Sequence, residues 1–173
     1  MSRSLLRAAF AAAFLATPTI AAAHVTLDVR EAPASATVRI AVRVPHGCEG
    51  AATTRIRIQI PDGVINVKPM PLAGWELTTV RGPLGQAVAG DHGTRVTEGV
   101  REISWAGGRL LDEHYGEFVF RAQLPNRPNT VLSFPVVQDC ERGVHRWIEI
   151  PAEGRNADDY REPAPQLRVT PRP

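Results

Sequence analysis

The sequence offers no stretch of helical periodicity between its turn signals, no internal repeat, and no run or stripe of basic residues. Each absence excludes something. With Gly 14 and Pro 15 among 173 residues, long helices are interrupted too often for a helical bundle. The charges, 20 basic and 18 acidic for a net +2, are scattered, so nucleic acid is not the expected partner. Aromatic residues make up only 6% of the chain and there are only two cysteines. No paired carboxylates and no Ser-His-Asp ordering point to hydrolysis, so no catalytic residue is named. What remains, 43% hydrophobic and 22% charged, is the composition of one globular, β-rich domain.

Residues 1–23, MSRSLLRAAFAAAFLATPTIAAA, have the three parts of a secretory signal peptide. Arg3 and Arg7 are the basic start, Ala8 to Ala16 the apolar part, and Ala21-Ala22-Ala23 a small-residue cleavage site. The apolar part is too short to span a bilayer, and no second one follows. Losing Arg3 and Arg7 takes the basic count from 20 to 18, equal to the 18 acidic residues. The expected destination is oxidising, most simply a bacterial periplasm. Cleavage after Ala23 makes His24 the first residue, with a free α-amine beside its own imidazole. Two such nitrogens close a chelate ring suited to Cu(II), which prefers tetragonal nitrogen and oxygen surroundings. Taken alone, His24 is better read as the place where the peptidase happens to cut.

The mature chain reads as short strands. Val38, Ile40, Val42 and Val44 alternate with polar or small residues, as do Ile56, Ile58 and Ile60, and Phe118, Phe120, Ala122 and Leu124. That period marks half-buried strands. Shorter candidates are 25–29, 75–80, 100–105 and 130–138, the last apolar enough to be covered on both faces. Residues 81–98 are expected to form a long polar loop holding a solvated His92. The expected fold is an antiparallel β-sandwich over 24–151. Residues 152–173, with Pro163, Pro165, Pro171 and Pro173, are expected to be an extended or disordered tail.

Cys48 and Cys140, in an exported chain, are expected to form a disulfide; the alternative is a pair of soft thiolate ligands for Cu(I). Around Cys48, the turn His46-Gly47-Cys48-Glu49 packs three ligand types into four residues. In 144–150, Val144, Ile148 and Ile150 share one parity, the expected core face; His145, Trp147 and Glu149 share the other. Trp147 would then point off the core, where an indole can cover a cation, unless both faces are buried or the register slips at Gly143. His114 is expected to shape its loop.

Taken in order, His-Val-Thr after the cleavage site, VPHGCEGAATTRIRIQIPDGV, KPMPLAGWELTTV, LLDEHYGEFVFRAQLP and FPVVQDCERGVHRWIEIP resemble the YcnI-like copper-binding domain over about 24–151. The resemblance implies an exported Ig-like β-sandwich holding one copper ion. The ion would take the amine and ring nitrogen of His24, a loop carboxylate as third ligand, and Trp147 as a lid. Cys48 stands nearest the carboxylate position, so the third ligand is open among Glu49, Cys48 and His46, and Cys140 would end nearby. Ligation by both cysteines would favour Cu(I). The implied role is a periplasmic copper chaperone or carrier in copper homeostasis, exchanging copper with other periplasmic chaperones or copper-uptake membrane proteins. A copper-dependent oxidative enzyme and a metal-free Ig-like interaction module are the alternatives; a lid over the metal argues against an open oxygen site.

Overall fold

The computed structural model describes residues 24–89 and 94–173; the leader expected over 1–23 and His92 lie outside them. The strands are β1 (Thr26–Leu27), β2 (Glu31–Pro33), β3 (Thr37–Val44), β4 (Thr53–Gln59), β5 (Ile65–Pro69) and β6 (Glu76–Ala89). After them come β7 (Arg95–Leu110), β8 (Gly116–Gln123), β9 (Val131–Ser133), β10 (Val136–Cys140), β11 (Val144–Trp147) and β12 (Gln166–Thr170). A short 3-10 turn, Ala157–Asp159, precedes β12.

One sheet has the order β1-β3-β8-β5 and the second β11-β10-β4-β7-β6; a small third sheet, β2-β12-β9, adjoins them. Every pairing is antiparallel except that of β12 with β2. The expected alternation is what lines the core. Ile40 and Val42 of β3, Ile56 and Ile58 of β4, and Phe118, Phe120 and Ala122 of β8 are all buried, as are Ile60 and Leu124 just beyond strand ends. Each of these apart from Ala122 contributes about 1.5–3 kcal/mol by leaving water. The sheets meet through aromatics: Phe118 lies edge-on to Trp105 at 5.6 Å and to Trp75 at 5.1 Å. The buried Trp105 indole donates to the Met70 carbonyl at 3.0 Å, so its one polar atom is satisfied. The antiparallel sandwich is as expected.

Three expectations need correction. Residues 81–89 and 95–98 are not part of a loop. β6 and β7 continue through them as a ribbon, pairing Pro83 with Glu98 and Val88 with Val96 across a register shift. Most of its side chains are exposed, so polar composition gave no strand signal; Leu84 alone tucks in. Second, 130–138 is two strands. Pro135 breaks it, sending β9 to the small sheet and β10 to the large one. Third, 152–173 is not a tail, and residue 151 is not a boundary. Leu167 and Val169 are fully buried in the main core, and β12 lies between β2 and β9. Gln166-Leu167-Arg168-Val169-Thr170 carries the period-two pattern, and the prolines flank it without entering it.

Candidate metal centre

Strand register decides what β11 presents. Trp147 stands opposite Val136, then Ile58 and Ile103; His145 stands opposite Gln138, then Ile56 and Trp105. Cross-strand partners share a face, and Val136, Gln138, Ile56, Ile58, Ile103 and Trp105 are all fully buried. His145 and Trp147 therefore face inward at the sheet's edge. The aliphatic side expected to be the core is the outer one. Val144, Ile148 and Ile150 are 48%, 36% and 63% exposed, while Trp147 is 4% exposed. A parity pattern distinguishes two faces but not which is covered; the register does.

The inward side chains form a row of rings. The centroid of His24 is 5.9 Å from that of Trp147 at an interplanar angle of 61°. Trp147 is 5.1 Å from His145 at 35°, and His145 is 6.0 Å from His46 at 84°. The segment starting at His24, β11 and the loop after β3 thus converge on one edge of the sandwich.

A buried glutamine holds the row together. Gln138 donates through its amide nitrogen to the His46 carbonyl at 2.7 Å and to Thr53 Oγ1 at 2.8 Å, and its oxygen accepts from Trp147 Nε1 at 3.0 Å. Gln138 and Thr53 are both fully buried. The indole is pinned by its only donor and is left to offer its π surface. Gln138→Leu would strand the Trp147 N–H and the His46 carbonyl at once, at about 1–3 kcal/mol for each buried group left unsatisfied. We expect a loss of about 2–5 kcal/mol in denaturant unfolding and a shifted Trp147 emission. An unfolding midpoint equal to that of the wild type would show that the clamp is not structural.

His145 is oriented from the C-terminal segment. Its Nδ1 lies 2.7 Å from Glu162 Oε1, and Glu162 Oε2 accepts from the Arg146 N–H at 2.9 Å. Burial alone would raise the Glu162 carboxyl, but the hydrogen bonds from His145 and the Arg146 amide outweigh it and hold it below its ordinary value. An ionised carboxylate only accepts, so Nδ1 carries the proton, and in the neutral ring the lone pair sits on Nε2. His46 Nδ1 contacts the Gly47 carbonyl at 2.7 Å. That oxygen also only accepts, which places the His46 lone pair on Nε2 in the same way.

Cys48 and Cys140 are joined in a disulfide. A disulfide has no thiolate to offer, so neither cysteine is a ligand here, and the alternative of paired thiolates is set aside. Between the disulfide and β4 the chain makes a tight turn. Cys48 and Ala51 exchange both backbone hydrogen bonds at 2.9 Å, and Glu49 and Gly50 take φ of 48° and 84°. Positive φ at both central residues is the two-residue hairpin geometry. Gly47 is required beside it, because a Cβ there would run into the Ala51 carbonyl. The turn leaves Glu49 exposed, lining a recess of about 190 Å³ with Arg142 and His145. His24 lines a different recess, of about 410 Å³, with Arg30, Asp158 and Gln166. The carboxylate lining the His24 recess is thus Asp158, and Glu49 is not in it.

Among the described residues no three His, Cys, Asp or Glu side chains are grouped to hold a metal ion. The part that fits copper is the half-buried His24 ring beside the pinned indole, to which cleavage would add an amine nitrogen. His114 is an exposed turn residue, 3.8 Å from Glu113. Sequence reasoning missed Glu162, Gln138 and Asp158. Gln138 had one signal, a lone amide closing an apolar run. Glu162 and Asp158 had none, lying in the stretch read as a tail.

The family profile described as "Domain of unknown function (DUF1775)" matches residues 24–169. No curated protein matches. Among solved structures, an uncharacterized protein from Nocardia farcinica with an immunoglobulin-like fold is similar, with a TM-score of 0.65 at 25% identity over 85% of this chain and 98% of that one. A type I cohesin of Pseudobacteroides cellulosolvens, covering 87% of this chain and 93% of its own at 10% identity, reaches a TM-score of only 0.42. The fold is therefore Ig-like, and the chain belongs to the DUF1775 family.

Proposed function

We propose that the protein is exported, cut before His24, and carries copper in the periplasm as a chaperone or carrier. The observation behind this reading is the His24 ring 5.9 Å from an indole pinned in place by a buried glutamine. Three others support it. The family match begins at His24. The Cys48–Cys140 disulfide suits an oxidising compartment. No helix among the described residues is long and apolar enough to cross a membrane.

Copper here is cargo. The His24 amine and imidazole would supply two nitrogens, a set that suits Cu(II). Trp147 would shield the ion and attract it through its π surface. Few ligands at a domain edge make a site that can be emptied as well as filled, as delivery to another periplasmic chaperone or to a copper-uptake membrane protein requires.

Cu(II) titrated into protein beginning at His24 should quench tryptophan emission and saturate at one equivalent, because an ion held by His24 would lie close to Trp147. In Trp147→Phe the quenched component should vanish, since Trp75 and Trp105 sit elsewhere in the fold, and the electron paramagnetic resonance spectrum should change. Quenching and spectrum identical in wild type and variant would reject the lid.

A further inference from the structure

We infer that the outer surface at and just after β11 is a docking site for a partner in copper exchange, which seats an extended segment of acidic and apolar side chains there. The copper part of that statement rests on the carrier reading; the surface itself does not. Three observations carry it.

First, aliphatic side chains stand together in the open. Val131, Ile148 and Ile150 are all exposed. Ile148 and Ile150 line a recess of about 360 Å³ with Val137, and Ile150 also lines a second, of about 890 Å³, with Val131. Sharing Ile150 joins the two into one strip. A single exposed aliphatic is ordinary, but a joined set in a concavity marks a contact surface. Second, positive charge predominates along the strip. Arg57 and Arg146 line the smaller recess, and Arg155 and Arg168 the larger, against one carboxylate in each, Glu102 and Glu153. Arg57 and Arg155 reach Asp139 and Asp159 at 3.4 Å, whereas Arg146 and Arg168 form no ion pair among the described residues. An acidic stretch complements this set. Third, the strip leads to His24. Asn156 and Gln166 line both the larger recess and the one that holds His24, so a segment seated here would reach the place where cargo changes hands.

Shape and charge choose the occupant. A second copy meeting this face about a two-fold axis would set arginines against arginines. A bilayer is flat, whereas these aliphatic side chains line recesses beside guanidinium groups. A narrow chain fits both features. Its apolar side chains would fill the recesses, and its carboxylates would pair with the planar forks of Arg146 and Arg168.

The test uses protein beginning at His24 and a fluorescent probe, a short peptide of alternating glutamate and leucine. The same peptide with lysine for glutamate is the control. Anisotropy should show saturable binding of the acidic probe, weakened by salt, and none of the basic one. Arg146→Glu/Arg168→Glu and Ile150→Asp should each weaken binding about tenfold or more, with the Cu(II) spectrum and the unfolding midpoint unchanged. Equal binding of the two probes, or full affinity kept in either variant, overturns the surface. A wild type that sediments as a dimer, or floats with phosphatidylglycerol vesicles, until Ile150→Asp is made overturns the choice of occupant. Should a variant not fold, the wild type decides by nuclear magnetic resonance. The acidic probe should shift the amide signals of Val131, Ile148 and Ile150, and shifts confined to other regions overturn the inference. Cu(II) held at His24 should then broaden the signals of the docked probe; a probe that stays sharp beside bound Cu(II) overturns the exchange role. Probe bound with no Cu(II) taken up would sink the carrier reading and leave the surface; Cu(II) taken up with no probe bound would do the reverse.

Discussion

Protein carrying one extra residue before His24 is expected to bind Cu(II) more weakly than the authentic terminus by on the order of a hundredfold or more, the amine being half of the chelate. The extension turns that amine into an amide. An amide nitrogen has no basic lone pair, and the imidazole is left to bind alone. Nothing else needs to change, because the His24 ring, Trp147 and Gln138 are positioned by β1, β11 and β10 and not by the terminal charge. Competition titration against a chelator of known affinity measures the difference. It should be accompanied by nitrogen hyperfine structure from two ligating nitrogens in the authentic form and fewer in the extended one. Equal affinities would refute the clamp, whatever the fold of the domain.

The second large effect concerns stability. Replacing both Cys48 and Cys140 by alanine is expected to lower the unfolding free energy by about 4–5 kcal/mol, since the crosslink closes a long loop in the unfolded chain; its sequence separation is 92. For a domain of this size that corresponds to about 10–20 °C in Tm. Reductant should bring the wild type down to the variant and leave the variant unmoved. A variant melting with the wild type would show that the bridge constrains little.

Much of the sandwich was legible because one face of each central strand is apolar and buried while most of the other carries polar side chains. Ile56, Ile58 and Ile60 against Arg55, Arg57 and Gln59 can be read no other way. The edge was harder. At β11 the residues show two faces, and only the pairing of Trp147 with Val136 and of His145 with Gln138 says which is inside; that pairing is a tertiary fact. β12 was hidden by prolines that border it. The ribbon of 81–89 with 95–98 was hidden because a strand outside the core needs no apolar face. At the site, His24 was legible as chemistry, being what the proposed cleavage would expose, and Trp147 as a large aromatic beside a histidine. Glu162 was not, since its partner lies 17 residues away and no local pattern links them. Nor was the separation of Glu49 from the His24 recess, which depends on how the 48–51 turn points.

The parallel pairing of β12 with β2 means that the last strand of the chain helps hold its beginning. Val25, next to His24, is buried in the same core as Leu167 and Val169, and Pro163, Ala164 and Pro165 help wall the recess beside His24. Trimming of the carboxyl end by a protease would therefore be felt at the amino end. Without that final segment, the recess beside His24 would lose one wall, and His145 would lose the carboxylate that aims it.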